Sequence, residues 1–213
     1  MPLPGTVAPA PNLALGFDTD APVTSEEAAA RKAAGFVFCV RYLTRVRPEE
    51  DPSDLTAAEA ERLLDAGLAV SAVQHVAREG WMPNAHLGSL YGANAAANAR
   101  SVGLPGGMNI WLDLEGVAGG AASSDVAAYC NAWFAELADA GYLPGIYVGA
   151  NCGLTGDELF FALSTKHYWK SGSTVPDVPH RGYQMIQSIS KITGDRNVTQ
   201  PDGEGGTVMW LQP

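Results

Sequence analysis

The chain has 213 residues, 46% hydrophobic and 17% charged, and its 13 basic and 23 acidic side chains give a formal net charge of −10. That is enough chain for one substantial hydrophobic core and short for two. The acidic balance excludes binding of nucleic acid through phosphate contacts, which needs a basic patch, and no apolar stretch approaches the length of a membrane span.

The segment MPLPGTVAPAPN, residues 1–12, has no basic residue and no apolar run, so it does not read as a secretory signal. Its prolines predict an extended arm. LALGFDT (13–19) then reads as a short strand with a polar tip. A helix follows over 25–34, capped by Thr24 or Ser25 and stopped by Gly35. FVFCVRYL (36–43) is a strand of aromatic and branched residues. A helix over 56–66 closes at Gly67, and LAVSAVQHV (68–76) is the next strand. An alanine-rich helix covers 87–102, NIWLDLEG (109–116) is a strand, and 123–140 is a helix with Ser123 or Ser124 as its cap. LPGIYVGA (143–150) is a strand and 155–164 a short helix.

Strand and helix alternating in series imply a parallel sheet, and near-continuous apolar strands imply that both faces are covered. After residue 165 the pattern changes. HYWKSG (167–172), GYQMIQSIS (182–190) and TVMWLQ (207–212) read as strands, but the segments between them are too short and too rich in Gly, Pro and Asp for full helices. The expected fold is an α/β, TIM-type (β/α) barrel over residues 13–213, a single domain whose helices are shortened or missing in the C-terminal third.

Chemistry on such a barrel gathers at the C-terminal ends of the strands. The tips here carry Asp18, Arg41-Tyr42, Gln74-His75, Asp113 with Glu115, Tyr147, Trp169, and Gln184 with Gln187; Asp195 stands where the chain enters its last strand region. Asp113 and Glu115 are two apart, so they share one strand face while Ile110, Leu112 and Leu114 share the other. Two residues advance roughly 6.6 Å along a strand. Paired carboxylates at that range suit glycoside hydrolysis, which needs one acid to protonate the leaving oxygen and a second as nucleophile, base or charge stabiliser. The spacing spans both the retaining and the inverting geometry.

LGFDTD, FVFCVRYLT, NIWLDLEG, GIYVGAN and GDRNV, in this order and spacing, resemble the glycoside-hydrolase-like domains of bacteria and phages, relatives of the family 25 lysozymes. The resemblance runs from about residue 13 to the C-terminus. It implies a barrel that loses helices late in the chain and an acidic site of Asp18, Asp113, Glu115 and Asp195. Glu115 is implied as general acid and Asp113 as its electrostatic partner, orienting the substrate's N-acetyl group. Asp18 and Asp195 are implied to tune charge and to hold water or sugar hydroxyls. Tyr147 and Trp169 match family aromatics that stack on sugars. The family's Tyr-His-Phe on the third strand is only loosely echoed around Gln74 and His75, which departs from the pattern there.

Other residues have plainer readings. Arg41 is either an ion-pair partner for the acids, and so a substrate-side residue with Gln74, or a snorkelling edge residue. His75 reads as a satisfied core histidine, Asp20, Glu79 and Asp202 as solvated. Of the three cysteines, two are expected as buried free thiols and one as semi-exposed, without a disulfide framework. No cofactor is called for. Four carboxylates without paired histidines suit calcium or magnesium better than zinc, but no EF-hand-like loop supports a metal site, and the glycines at 103–107 and 116–120 lack the Lys and Ser/Thr of a phosphate loop.

The resulting expectation is a monomeric lysozyme-type hydrolase cutting the glycan strand of bacterial cell-wall peptidoglycan. It would be made in the cytoplasm and reach the wall after phage lysis or by another export route. The alternative is a catalytically silent wall-glycan-binding module of a phage tail or secretion device.

Overall fold

A computed structural model describes residues 2–46, 53–190 and 194–213. Its elements in chain order are β1 (Thr6–Pro9), β2 (Leu15–Thr19), α1 (Ser25–Ala33), β3 (Phe38–Leu43), α2 (Ala57–Asp65), β4 (Ala69–Gln74), α3 (Ala85–Val102), β5 (Asn109–Leu114), α4 (Ser123–Asp139), β6 (Leu143–Val148), α5 (Gly156–Phe161), β7 (Tyr168–Lys170), β8 (Met185–Ser190), β9 (Gly194–Thr199) and β10 (Met209–Gln212).

Strands β2 to β9 close into an eight-stranded barrel. Neighbours from β2 through β8 pair in parallel, while β9 runs antiparallel to both β8 and β2. The barrel is therefore mixed, with one reversed stave. That stave, GDRNVT, is a full strand where the sequence shows only the entry to the last strand region. The segment read as the final stave lies outside the barrel: β10 pairs with β1 and makes a single bridge to β4, Leu211 to Val70. The arm over 1–12 thus includes a paired strand.

Helices form where the sequence signals them. Thr24, Thr56, Asn84 and Thr155 each accept a hydrogen bond from a first-turn amide, and at Thr155 the side chain of Glu158 reciprocates to complete a capping box. The long helix α4 is the exception. Its cap is Ala122, without a side-chain bond, rather than either serine. Among the described residues no helix follows α5, and none is long and apolar enough to cross a membrane.

Two hydrophobic layers result from the alternation of side chains along each strand. Outward residues such as Cys39, Leu43, Ile110, Leu112 and Ile146 pack beneath the helices. Inward residues fill the barrel with rings, Phe38, Trp111 and Trp169, with Val40, Val73 and Met185 between them, and Trp210 of β10 packs against Phe38. Glycines on adjacent strands make room. A Cβ at Gly16 would stand 2.3 Å from the Phe38 ring, and one at Gly145 would stand 2.4 Å from the Trp111 ring. All three cysteines, Cys39, Cys130 and Cys152, are free and buried, so none is semi-exposed.

Candidate active site

The inward face of β5 carries Trp111 and then Asp113, and Glu115 follows just past the strand end. Asp113 is 4% exposed and Glu115 half-buried. They open into a groove of about 460 Å³ at the C-terminal mouth of the barrel, lined also by Asp18, Tyr42, His75 and Asp195. Four sequence-predicted acids, from β2, β5, its exit and β9, therefore converge on one space.

Each acid has its own surroundings. Asp18 Oδ2 accepts from Gln187 Nε2 at 2.9 Å and from Asn197 Nδ2 at 2.6 Å. Burial still raises its proton affinity above the usual carboxylate range, with nearby Asp195 adding to the rise and the two amides opposing it. Asp113 has a buried Oδ1 with no hydrogen-bond partner among the described residues. Desolvation, then the charges of Glu115 and Asp18, push it well above the ordinary value. Glu115 is raised by desolvation and by Glu79. Asp195 is raised by desolvation. Carboxyls crowded in this way do not all ionise together, so the cluster retains protons at pH values where isolated carboxyls have lost theirs.

Backbone geometry sets the reach of Glu115. Gly149, after β6, has no side chain where a Cβ would lie 2.5 Å from Glu115 Oε2. Gly116 has φ +62°, a conformation that suits glycine, and turns the chain directly after the acid. The Trp81 indole donates to the Glu115 carbonyl at 2.9 Å and fixes the strand exit from the other side.

Tyr147 stands over the acids' flank. Its hydroxyl donates to Gln187 Oε1 at 2.9 Å, and burial together with the charge of Asp113 keeps it firmly protonated. Trp169 is fully buried. It meets Tyr147 edge-on at 4.6 Å between centroids, and its Nε1 donates to Asn197 Oδ1 at 2.9 Å. It is a support under the site, not a platform for a sugar.

Arg41 and Gln74 also correct the sequence reading, because both point outward. Arg41 is fully buried against Glu59 of α2, with Nε 2.6 Å from Oε1, and it donates to the carbonyls of Thr19 and Ser53. It anchors the loop after Asp18 through the Thr19 carbonyl and does not itself line the groove. Gln74 accepts from Trp133 Nε1 at 2.8 Å and donates to the Tyr91 carbonyl at 2.8 Å, tying β4 to α4 and α3.

Their neighbours in sequence take the inward places. Tyr42 lines the groove, and its ring packs on His75 at 4.6 Å. His75 is thus a groove residue, not a core histidine; its Nε2 lies 2.7 Å from Asp54 Oδ1. Asp202, expected in solvent, is buried and bound by Arg181 and Gln184 near the loop before β10. Asp20 and Glu79 are exposed as expected. Asn197 is a site residue that the sequence does not announce, since Gly-Asp-Arg-Asn is also a turn-forming composition; its sequence signal is the period-two pairing with Asp195. Among the described residues, no three His, Cys, Asp or Glu side chains are grouped to hold a metal ion.

A barrel that sheds its late helices, closes on a reversed stave and gathers carboxylates at its C-terminal mouth defines a glycoside-hydrolase-like barrel of the family 25 kind. The chain belongs to the Rv2525c-like, glycoside hydrolase-like domain family, whose profile matches residues 29–207. Among curated proteins no sequence matches it. Several solved structures share its fold, among them these three. An uncharacterized protein of B. stearothermophilus is 22% identical, with 87% of this chain and 95% of that one covered and a TM-score of 0.65. The Tat-secreted protein Rv2525c of Mycobacterium tuberculosis is 17% identical, with 94% and 99% covered and a TM-score of 0.65. A bacterial lysozyme from Streptomyces coelicolor is 17% identical, with 92% and 94% covered and a TM-score of 0.62.

Proposed function

We propose that this protein is a glycoside hydrolase of lysozyme type that cuts the glycan strand of bacterial peptidoglycan. The observation that carries the reading is the Asp113–Glu115 pair: a buried carboxyl with one unpartnered oxygen beside a half-buried carboxyl, both lining one open groove. Most buried carboxylate oxygens are bonded; Asp113 Oδ1 has no partner among the described residues, and the residue lines the groove, which leaves that oxygen for a substrate.

The roles follow from the surroundings. Glu115 is accessible and holds its proton to higher pH than an ordinary glutamate, as an acid that protonates the glycosidic oxygen must. Asp113, deeper and on the same face, meets the sugar ring next to the bond that breaks and bonds its acetamido group. Asp18, fixed by two amides, stabilises the positive charge that develops on the ring. Tyr42 and His75 offer a ring face and a polar edge for the same sugar.

The test is release of reducing ends from purified peptidoglycan by the wild type and by Glu115→Gln. The wild type is expected to release them and the variant to lose the activity by at least about a hundredfold, the usual contribution of a general acid. Binding of peptidoglycan by both proteins with no reducing ends from either would sink the hydrolase reading in favour of a wall-binding module.

A further inference from the structure

Glu115 is not only a wall of the acidic groove. Together with Val76 it also lines a second depression of about 250 Å³, whose other walls are Ala77, Glu79, Gly116, Ala150 and Asn151. Asn151 in turn lines a third depression of about 510 Å³ with Gly149, Thr155 and the rim residues Thr174 to Pro176. Gly149 ties the far end back to the acid, since it lies against the Glu115 carboxylate. Three hollows are thus joined through shared residues, with Glu115 at the first junction and Asn151 at the second.

Asn151 is unusual in two ways. It is exposed, and its backbone has φ +55°, a left-handed conformation that asparagine tolerates better than most non-glycine residues. Its carbonyl is committed to Val117 N at 2.9 Å, which fixes its backbone where the two hollows meet. Residues held in sparsely populated backbone conformations cluster at functional sites, and Asn151 lines both hollows.

We infer that the second and third hollows are the subsites for the leaving-group side of a glycan chain, with Asn151 the residue that reads it. This rests on the hydrolase reading, because it is the acid that fixes direction. The sugar that is attacked lies over Asp113 and Asp18. The departing oxygen faces Glu115, so the sugar attached to it continues toward Gly116 and Asn151. The second hollow is of single-ring size, and the third receives the chain beyond. Glu79 and Asn151 supply hydrogen-bonding partners for hydroxyl and acetamido groups at the first of these positions. The ligand class is an extended chain of β-linked N-acetylated hexosamines rather than a disaccharide end.

The experiment measures affinity of Glu115→Gln for peptide-free peptidoglycan oligosaccharides of two to eight sugars. Two further substitutions are made in that background. Asn151→Gly keeps the left-handed backbone and removes the amide, and Thr174→Trp fills the third hollow from an exposed rim. Affinity is expected to rise on the order of tenfold as the chain grows past the disaccharide, and both substitutions are expected to erase that rise. Equal affinity at all lengths, absence of binding, or an intact length dependence in both variants would overturn the assignment. The hydrolase reading is scored separately by the wild type. With a label at the reducing end of an octasaccharide, it should release labelled fragments of two or more sugars, shifted to shorter ones by Thr174→Trp. Length-dependent binding that needs Asn151, with no cleavage by the wild type, would keep the subsites and remove the hydrolase.

Discussion

Gln187 holds Asp18 from β8, with Nε2 donating to the carboxylate at 2.9 Å, while its own Oε1 accepts from the Tyr147 hydroxyl and the Gly172 amide. Every polar atom of that amide is used, so Asp18 is oriented through a fixed intermediary. Gln187→Leu removes a donor that favours the ionised form. The Asp18 carboxyl is then expected to titrate at higher pH than in the wild type, as read by carboxyl carbon NMR, with a stability loss of roughly 1–3 kcal/mol from the acceptors and donors left unpaired. An unchanged Asp18 titration would show that Asn197 alone holds it.

The proton on Glu115 sets an alkaline limit. Its raised proton affinity extends the acid form above the usual glutamate range, and activity is expected to fall as pH rises through that raised value. Glu79 is one cause of the rise. Removing its negative charge favours ionised Glu115, so Glu79→Gln should move the falling limb of the pH–rate profile to lower pH. A limb that stays in place or moves upward would contradict the electrostatic link.

Asp113 makes a prediction about stability that is independent of activity. Its carboxyl is raised in the folded state, so the fold keeps a proton that the unfolded chain releases. The associated stability is fully present below the unfolded carboxylate value and is lost as pH rises through the folded one. Asp113→Asn cannot ionise and escapes that loss. In thermal melts the variant should match the wild type in acid and exceed it at neutral pH, by on the order of 1–3 kcal/mol. A gap that does not widen with pH would mean that Asp113 is ionised without cost.

Arg41 belongs to stability and not to recognition. Arg41→Met leaves Glu59 buried beneath α2 without its partner, and a loss of about 3–5 kcal/mol is expected in chemical denaturation. Arg41→Met with Glu59→Leu removes both charges and should recover much of it. If the single variant instead weakens glycan binding at unchanged stability, the outward placement is wrong.

The interior glycines set a further limit. Gly145→Ala drives a methyl group into the Trp111 ring, and a destabilisation of about 1–3 kcal/mol is expected from the forced repacking. The same denaturation measurement checks it; a neutral substitution would mean that the ring has room to move.

The elements were legible where hydrophobic period and caps agreed: the five helices and the parallel strands stand within a few residues of their expected places. β9 was not, and for a physical reason. Its alternating residues are Asp195 and Asn197, which meet the acids, and Thr199, which bonds Pro11 and Ala14, so the usual apolar alternation is replaced by a polar one that looks like a turn. The acids themselves were readable because a carboxylate in an apolar strand is costly and therefore conspicuous. The parity of β3 and β4 was not readable. Both faces of a barrel strand are apolar, and nothing in FCVRYL or AVSAVQ says whether Arg41 or Tyr42, Gln74 or His75, faces the interior.

Trp111 sits two residues before Asp113 on the same face, packed against Trp169, which in turn meets Tyr147. Protonated carboxyls quench indole emission more strongly than carboxylates do. The barrel therefore carries its own optical indicator: as pH rises and the acid cluster gives up its protons, the fluorescence of the enclosed tryptophans should brighten, and a glycan seated over the acids should displace that transition without any label being attached.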